Sequence, residues 1–330
     1  TMKKVMELLP ESMRQMVKPS STVVAAWGIF FFCSLLVFKL LSDGDFSFLL
    51  TYAAVCRCFA FVILNIKMYT SNSASSVSLK TLEAYVCVFF LRLISIMRHE
   101  GYLPYDSSGD WFYHFVESAS LCGVCVSIYL LYFRFRGTYD ESQDCFGNLH
   151  IPSFLGVLYV VVPCFLLSCL FHPNLNKDWL SDVSWTFSMY LESCAILPQL
   201  YMFQRQSSGV VEVLVSHSVF ALGFARVVEM AFWMSSFHEL TSHSGSKLVG
   251  YVVLIAQFAH VALMGDFFYF YFVSLQKVSV WWHCVGGSVI FHIPTRARVY
   301  TSTSFIPHPY PTWPPPQGTP LHIPTSAGIV

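Results

Sequence analysis

FSFLLTYAAVCRCFAFVILNIKMY, residues Phe46–Tyr69, is the segment from which the fold class follows. A helix needs about 20 mainly apolar residues to cross the hydrocarbon core of a bilayer. This segment is long enough, and it carries a charge, Arg57, near its middle. We therefore predict a transmembrane helix that holds a charged side chain away from lipid.

Seven further apolar segments follow the same pattern. Their connections are short and rich in turn residues, so no separate soluble domain is expected between them. No A-x-A-like cleavage site follows the first segment, which is expected to be an uncleaved anchor. We predict an all-α polytopic membrane protein with eight spanning helices. Besides Phe46–Tyr69, the predicted spans are Ser21–Leu41, Leu82–Met97, Trp111–Phe133, Pro152–His172, Leu180–Phe203, Leu214–Phe237 and Leu248–Leu275.

The composition excludes several other classes of protein. Only 12% of the residues are charged and the mean hydropathy is +0.56, whereas soluble domains carry about 25% charged residues. The net charge is zero, so no basic surface predicts binding to nucleic acid. Most of the eleven cysteines lie in apolar segments, where they act as small packing residues. The sequence contains no nucleophile elbow, no phosphate loop and no H-E-x-x-H motif. We therefore predict no enzymatic activity, no cofactor and no metal.

Lysines and arginines set the predicted orientation, because cytosolic connections carry more of them. With the N-terminus in the cytosol, twelve lie in cytosolic segments and four, Lys39, Arg98, Lys177 and Lys247, lie on the other side. The reverse orientation would invert this ratio. Eight spans also return the C-terminus to the cytosol, so both termini are predicted to be cytosolic.

A weak internal repeat relates the two halves of the chain. Lys67–Ile94 aligns with Tyr201–Val228 without a gap, and the alignment brings Arg92 onto Arg226. We interpret the chain as one extra helix plus a seven-helix 3+1+3 core of the PQ-loop/SWEET type. In such parallel repeats the binding site lies at the repeat interface.

Seven charges lie in the interior of the predicted spans, at least five residues from either end, namely Arg57, Arg92, Arg226, Glu117, Glu192, Glu229 and Asp266. A charge at the bilayer centre costs about 2.5–3.5 kcal/mol on insertion scales, so these side chains are expected to avoid lipid. Two interpretations stay open: structural ion pairs that fix the helix register, or a polar cavity for a charged ligand or a proton path. Arg92 and Arg226 are planar bidentate donors and suit a carboxylate ligand.

The segment WTFSMYLESCAILPQL, Trp185–Leu200, resembles the most characteristic segment of the ER lumen protein-retaining receptors, the KDEL receptors. Further matches follow in the family's order and extend over most of the chain, from about Leu49 to Lys277. They are SLKT at 78–81, GTYD at 137–140, SH at 216–217, FALG at 220–223, Arg226, and DFFY at 266–269. The additional N-terminal span resembles a longer, KDEL-receptor-like branch of this family. The resemblance implies seven core helices related to PQ-loop transporters, in agreement with Pro198-Gln199.

The resemblance also implies a function. It implies a receptor of ER and Golgi membranes that binds C-terminal KDEL-like signals of escaped luminal proteins and returns them to the ER. Expected partners are those peptide signals, the vesicle coat machinery on the cytosolic side and the lipid bilayer. The positions that match ligand-binding residues of the family are Arg92, Trp185, Glu192, Arg226, Trp233 and Asp266, with Asp182 where the family has glutamate.

Several positions depart from the family pattern. Arg57 aligns with the proton-sensing histidine, and arginine does not titrate near neutrality. Signal-binding arginines are missing near Leu50 and at Ser236, and Glu229 stands where the family has tyrosine. Other differences are Leu93, Ser95 and Ala225. Arg57 lies seven residues after Leu50, on the same helix face, and is a candidate replacement for the lost arginine.

Three functions are therefore kept open. The first is a retrieval receptor with altered signal preference or pH dependence, and the second is a receptor-like protein with a different ligand. The third is a small-solute transporter of the PQ-loop type. A pocket that contains Arg57, Arg92 and Arg226 and is closed to the cytosol would favour a receptor.

The predicted organisation has three parts: an N-terminal tail and anchor at 1–45, the receptor-like domain at 46–277, and an irregular tail at 278–330. Family resemblance stops at Lys277. Val278-Ser279 is what a 5′ splice site would encode, and Pro314-Pro-Pro-Gln317 is what a pyrimidine tract ending in CAG would encode. We interpret 278–317 as a retained intron. The other interpretation is an authentic Pro-rich disordered tail.

Overall fold

A computed structural model describes most of the chain between residues 27 and 284. The described residues are 27–32, 34, 47–99, 110–148, 152, 155–174, 177–206, 210–244, 247–284 and 291–292. Within these ranges the regular structure is helical, apart from two short strands, Val210–Val211 (β1) and Phe291–His292 (β2), which pair antiparallel. The predicted all-α class is therefore confirmed.

The helices follow one another with short connections. Residues 27–32 and 34 are helical and precede α1. The numbered helices are α1 (Ser47–Ser71), α2 (Leu79–Arg98), α3 (Asp110–Tyr129), α4 (Leu158–Leu170), α5 (Trp179–Cys194), α6 (Leu197–Arg205), α7 (Val213–Ser235), α8 (Phe237–Ser244) and α9 (Lys247–Cys284). A π-helical turn, Leu130–Arg134, continues α3.

Among the described residues, four helical stretches are long and apolar enough to cross a membrane. They are Phe48–Ser71, Trp111–Arg134, Val213–Ser235 and Lys247–Val273, and each coincides with a predicted span. Helix α2 contains Lys80, Glu83 and Arg92, which reduce its hydropathy, and α4 has only 13 residues. The total of eight spans stays a prediction.

One predicted span, Leu180–Phe203, is divided into α5 and α6 by a turn at Ala195-Ile196. Pro198 gives the physical reason, since it has no N–H to donate and its ring clashes with the carbonyl four residues earlier. The proline occupies the first turn of α6, where helices tolerate it. The predicted single helix is thus corrected to a broken one.

The internal repeat is visible in the helix boundaries. Helices α2 and α7 begin at Leu79 and Val213, which differ by 213 − 79 = 134. Helices α1 and α6 end at Ser71 and Arg205, which again differ by 205 − 71 = 134. The packing follows the same relation, because α1 packs against α7 and α5 against α2.

The N-terminal helical segment packs on α1 through aromatic rings. Phe30 stacks on Phe59 with ring centroids 4.2 Å apart, and Trp27 lies 5.3 Å from Phe59. The same offset carries 27–34 onto 161–168, inside α4, which packs on α5 through Phe165 and Phe187 at 5.4 Å. This segment therefore takes the place in the first half that α4 takes in the second. Most of the predicted span Ser21–Leu41 lies outside the described residues.

A buried carboxylate fixes the start of α2. Asp144 is fully buried and accepts hydrogen bonds from Ser78 Oγ and from the Leu79 backbone N–H, both at 2.8 Å. The Gln199 side chain accepts from the Ser78 backbone N–H at 2.9 Å. These contacts join the loop after α3, the start of α2 and helix α6 into one polar layer at the end of the helices that is predicted to be cytosolic.

Helix α9 continues past the predicted end of the receptor-like domain. It reaches Cys284, seven residues beyond Lys277. Of the remaining tail only 291–292 are described. The prediction of a retained intron at 278–317 therefore falls largely outside the described residues and stays a prediction.

Candidate functional site

Six of the seven charges predicted within the spans meet in one place. The helix assignments bring cations from α1, α2 and α7 together with carboxylates from α3, α5 and α7. We call this set, Arg57, Arg92, Arg226, Glu117, Glu192 and Glu229, the arginine–glutamate cluster. Every member is at most 2% exposed. The expectation that intramembrane charges avoid lipid agrees with the burial of these six, but not with the seventh, Asp266, whose side chain is exposed.

Arg57 contacts a carboxylate in three directions. Its Nη2 lies 2.7 Å from Glu117 Oε1 and its Nη1 lies 2.6 Å from Glu229 Oε2. Its Nε is 3.6 Å from Glu192 Oε1. Arg57 is therefore a fixed cation at the centre of three acids.

Glu192 joins the two pseudo-equivalent arginines. Arg92 Nη2 and Arg226 Nη2 both form ion pairs with Glu192 Oε2. Arg92 Nη1 also lies 3.2 Å from Glu117 Oε1, and Arg226 Nη1 lies 3.0 Å from Glu229 Oε2. The repeat thus places two guanidinium groups on one carboxylate at the interface of the two halves.

Two polar residues of α9 complete the cluster. Gln257 accepts a hydrogen bond from Arg226 Nη1 at 3.0 Å and donates one to Glu229 Oε1 at 3.1 Å. His260 Nδ1 donates to the Glu192 backbone carbonyl at 2.9 Å. Both side chains are at most 1% exposed. Sequence reasoning missed these two as site residues, because neutral polar side chains in an apolar helix give no periodic or charge signal.

The charges of the cluster balance among the described residues, with three arginines and three glutamates. Taking an unpaired ion out of water costs several kcal/mol, and a paired ion recovers this only with good geometry. The contacts of 2.6–3.2 Å around Arg57 and Arg92 have the geometry of charge-assisted hydrogen bonds. Glu117 and Glu229 were recognised in the sequence as intramembrane charges but not as site residues.

The predicted tryptophans meet next to the cluster. The rings of Trp185 and Trp233 pack edge to face with centroids 6.0 Å apart. Trp185 precedes Glu192 by seven residues on α5, and Trp233 follows Arg226 by seven on α7. Since α5 and α7 run in opposite directions in the predicted topology, both tryptophans lie about two turns, roughly 10 Å, to the predicted luminal side.

The other two predicted residues lie apart from the cluster. Asp182 is buried in the first turn of α5, ten residues or about 15 Å before Glu192. Asp266 lies on α9, six residues beyond His260, and its side chain is exposed. The structure therefore brings Arg57, Arg92, Arg226 and Glu192 together beneath the tryptophan pair, and leaves Asp182 and Asp266 at a distance.

Several polar atoms in and around the cluster have capacity for a further partner. In the described part of the chain, Arg226 Nε, Glu117 Oε2 and His260 Nε2 are buried without a hydrogen bond. Buried polar atoms are normally paired with protein or with water. Each of these three atoms therefore has capacity for a further hydrogen bond.

The chain is similar in sequence to a family of known proteins. The model of the family described as ER lumen protein retaining receptor matches residues 73–236. An ER lumen protein-retaining receptor of Drosophila melanogaster is 30% identical over 66% of this chain and 90% of its own. Receptor B of Arabidopsis thaliana is 33% identical over 66% of this chain and 89% of its own. The chain belongs to the ER lumen protein-retaining receptor family.

Membership of this family agrees with the membrane-span-capable helices and makes the chain a multi-pass membrane protein of the ER–Golgi system. A third relative, ER lumen protein-retaining receptor 3 of Xenopus laevis, is 29% identical over 73% of this chain and 94% of its own. The family match ends at Ser236, and the longer alignments cover most of each receptor. The resemblance stated from Trp185–Leu200 is therefore confirmed.

Proposed function

We propose that this member of the family is a retrieval receptor that binds the C-terminal carboxylate of a luminal peptide on the arginines of the arginine–glutamate cluster, which include Arg92 and Arg226. The observation that carries the proposal is the convergence of these two guanidinium groups on one carboxylate, that of Glu192. A site that already holds a carboxylate oxygen between two arginines has the donor geometry that a peptide carboxylate requires.

The proposal includes a direction of access. On the predicted cytosolic side, Asp144, Ser78 and Gln199 belong to the hydrogen-bonded polar layer described above. On the predicted luminal side, about two helical turns from the cluster, lies the Trp185–Trp233 pair, on which a peptide side chain can stack. We infer that the ligand enters past the tryptophans, whereas a transporter would need both sides to open.

The proposed receptor has an altered pH dependence. Arg57 carries a positive charge throughout the physiological range, so it cannot report the difference between Golgi and ER pH. Any remaining pH dependence must come from acids of the cluster, such as Glu192, or from a histidine such as His217. We expect it to be weaker than that of receptors with a titrating histidine at this position.

A second candidate function rests on the charge balance of the cluster. Because each arginine already contacts at least two glutamates, an acidic peptide meets a neutral site rather than a positive one. This favours a receptor-like protein that keeps the fold and the endomembrane location but binds a neutral or zwitterionic ligand.

Peptide binding to the purified protein distinguishes the two candidates. Tetrapeptides with a free C-terminal carboxylate are compared with the same peptides amidated at the C-terminus, between pH 5.5 and 7.5. A receptor for C-terminal signals should bind the free acids at least tenfold more tightly. Equal affinity for both forms would reject the first candidate in favour of the second.

The orientation and the partners complete the proposal. Twelve of the sixteen basic residues outside the cluster lie on the side that contains both predicted termini, which we assign to the cytosol. Vesicle coat machinery would bind there, and the loop that holds Asp178 would face the lumen. Protease protection of tags at each terminus in intact microsomes tests this assignment, because cytosolic tags are digested without detergent.

A further inference from the structure

Glu229 is held in the way that a bound carboxylate would be held. Its Oε2 lies 2.6 Å from Arg57 Nη1 and 3.0 Å from Arg226 Nη1. Its Oε1 accepts a hydrogen bond from Gln257 Nε2 at 3.1 Å. Both oxygens are thus engaged by donors from three different helices, α1, α7 and α9.

The net charge of the arginine–glutamate cluster is zero, so no positive charge is left to balance a further anion. An added carboxylate would be an unbalanced charge in a site whose members are at most 2% exposed. The cost of such a charge is several kcal/mol, which exceeds the gain from one charge-assisted hydrogen bond. A ligand carboxylate can therefore enter only if one of the three glutamates leaves the arginines.

The three glutamates differ in how readily they can be replaced. Glu192 contacts all three arginines and lies between the two halves, so its departure would leave every guanidinium with one partner fewer. Glu117 contacts Arg57 and Arg92 through a single oxygen. Glu229 contacts Arg57 and Arg226, and only there does the neutral Gln257 offer hydrogen bonds to both the arginine and the incoming acid.

Arg226 keeps a further donor that Glu229 does not use. Its Nε is buried without a hydrogen bond and shares an edge of the guanidinium group with Nη2, which pairs with Glu192. A ligand carboxylate in place of Glu229 would meet Arg57 Nη1, Arg226 Nη1 and Gln257 Nε2 within one site.

We infer that Glu229 is an internal counter-ion that occupies the place of a ligand carboxylate on Arg57 and Arg226, and that the ligand binds by displacing it. The inference rests on the proposed function. Glu229 then determines which ligands bind, because only a ligand whose carboxylate can contact both arginines competes with the carboxylate of Glu229. It also joins Arg57 to the ligand site through a contact that Glu229 masks in the unliganded protein.

The test uses the variant Glu229→Gln in the full-length protein. Glutamine is isosteric and keeps a hydrogen bond to Gln257, but it has no charge to hold the two arginines. We expect the affinity for free-acid tetrapeptides to rise by roughly 10- to 100-fold, the equivalent of one charge-assisted hydrogen bond. The affinity for amidated peptides should not change.

Two further variants make the result decisive. Glu117→Gln removes the same charge from the other side of Arg57 and should give a smaller gain, because no neutral partner replaces it there. Glu229→Asp retains the charge, withdraws the carboxylate by one methylene, and should give an intermediate gain if Glu229→Gln does not fold. Unchanged or weaker free-acid binding in the folded Glu229 variants would overturn the inference.

The outcomes separate this inference from the proposed function. If neither the native protein nor Glu229→Gln prefers free acids over amides, the proposed function itself fails. If the native protein prefers free acids and Glu229→Gln binds them no more tightly, the proposed function stands and only the displacement of Glu229 is rejected.

Discussion

Arg92 and Arg226, the equivalent arginines of the two repeats, form ion pairs with the same oxygen of Glu192. The internal repeat found in the sequence therefore brings two equivalent arginines to one carboxylate in the structure. Each arginine lies on the helix of its half that starts at the equivalent residue, Leu79 or Val213. Substitutions at these positions should therefore affect ligand binding more than substitutions elsewhere in the same helices.

Replacement of Arg92 tests the carboxylate site directly. Arg92→Ala should weaken binding of a free-acid peptide by roughly 1.5–3 kcal/mol, the range for a charge-assisted hydrogen bond. Arg92→Lys should restore only part of this, because an ammonium group lacks the bidentate fork. Equilibrium binding and thermal unfolding in detergent are measured together, since removal of one partner of a buried ion pair also destabilises the fold. Unchanged affinity in folded Arg92→Ala would contradict the proposed role.

Replacement of Arg57 tests the pH dependence. In Arg57→His the side chain facing Glu117, Glu192 and Glu229 would titrate, with an unperturbed pKa of about 6.5 for histidine. The ratio of peptide affinities at pH 5.5 and 7.5 should therefore be larger in this variant than in the native protein. Arg57→Lys, which keeps a fixed charge, is the control and should leave the ratio low. A sharp loss of binding in the native protein over this range would refute the prediction.

The charged members of the cluster could be recognised in the sequence as intramembrane charges, although Glu117 and Glu229 were not predicted as site residues, and its neutral members could not be recognised. Arg92 and Arg226 could be identified because charges are costly in apolar helices and because the repeat aligns them without a gap. Gln257 and His260 could not, since only the fold brings α9 against Glu229 and Glu192.

Residues predicted from the family resemblance also show what the sequence could not establish, namely which of them lie together in the fold. Asp182 was included on resemblance alone and Asp266 on resemblance and as an intramembrane charge, and neither lies in the cluster. The break between α5 and α6 was likewise missed, because the apolar pattern continues through Ala195 and Ile196 although Pro198 interrupts the hydrogen bonds.

Asp144 should be important for stability without contact to the ligand. Asp144→Ala removes the acceptor for Ser78 Oγ and the Leu79 N–H at the start of α2, both in a fully buried position. Buried groups left unpaired cost about 1–3 kcal/mol each, so the thermal unfolding temperature should fall clearly. Asp140→Ala, in the same loop but with local partners only, should have little effect. Equal unfolding temperatures for the two variants would show that the layer around Asp144 does not stabilise the helices.

Asp178 links α2 to α5 on the predicted luminal side and should remain charged at every physiological pH. Hydrogen bonds from Arg98, and then from His99, lower the pKa of this carboxyl to about 2. A lowered pKa in the folded state gives stability that is present above the unfolded value of about 3.9 and is lost as the pH falls through 2.

The difference in unfolding temperature between the native protein and Asp178→Asn tests this linkage. It should be constant between pH 8 and 5 and should shrink between about pH 4 and 2. Asparagine can still accept the hydrogen bond from the Leu180 N–H that caps α5, so the variant removes only the charge. A difference that already changes between pH 7 and 6 would show that this contact responds to luminal pH.

The last prediction concerns the continuity of the chain after the receptor-like domain. Residues 278–317 correspond to forty codons, which preserve the reading frame when removed and join Lys277 to Gly318. The segment begins with Val278-Ser279 and ends with Pro314-Pro-Pro-Gln317, as a 5′ splice site and a pyrimidine tract ending in CAG would encode. We expect cDNA amplified across codons 277 and 318 to be shorter than genomic DNA by these forty codons. A product only at full length, or a tryptic peptide that covers 299–330 in the purified protein, would show instead that the Pro-rich segment is translated.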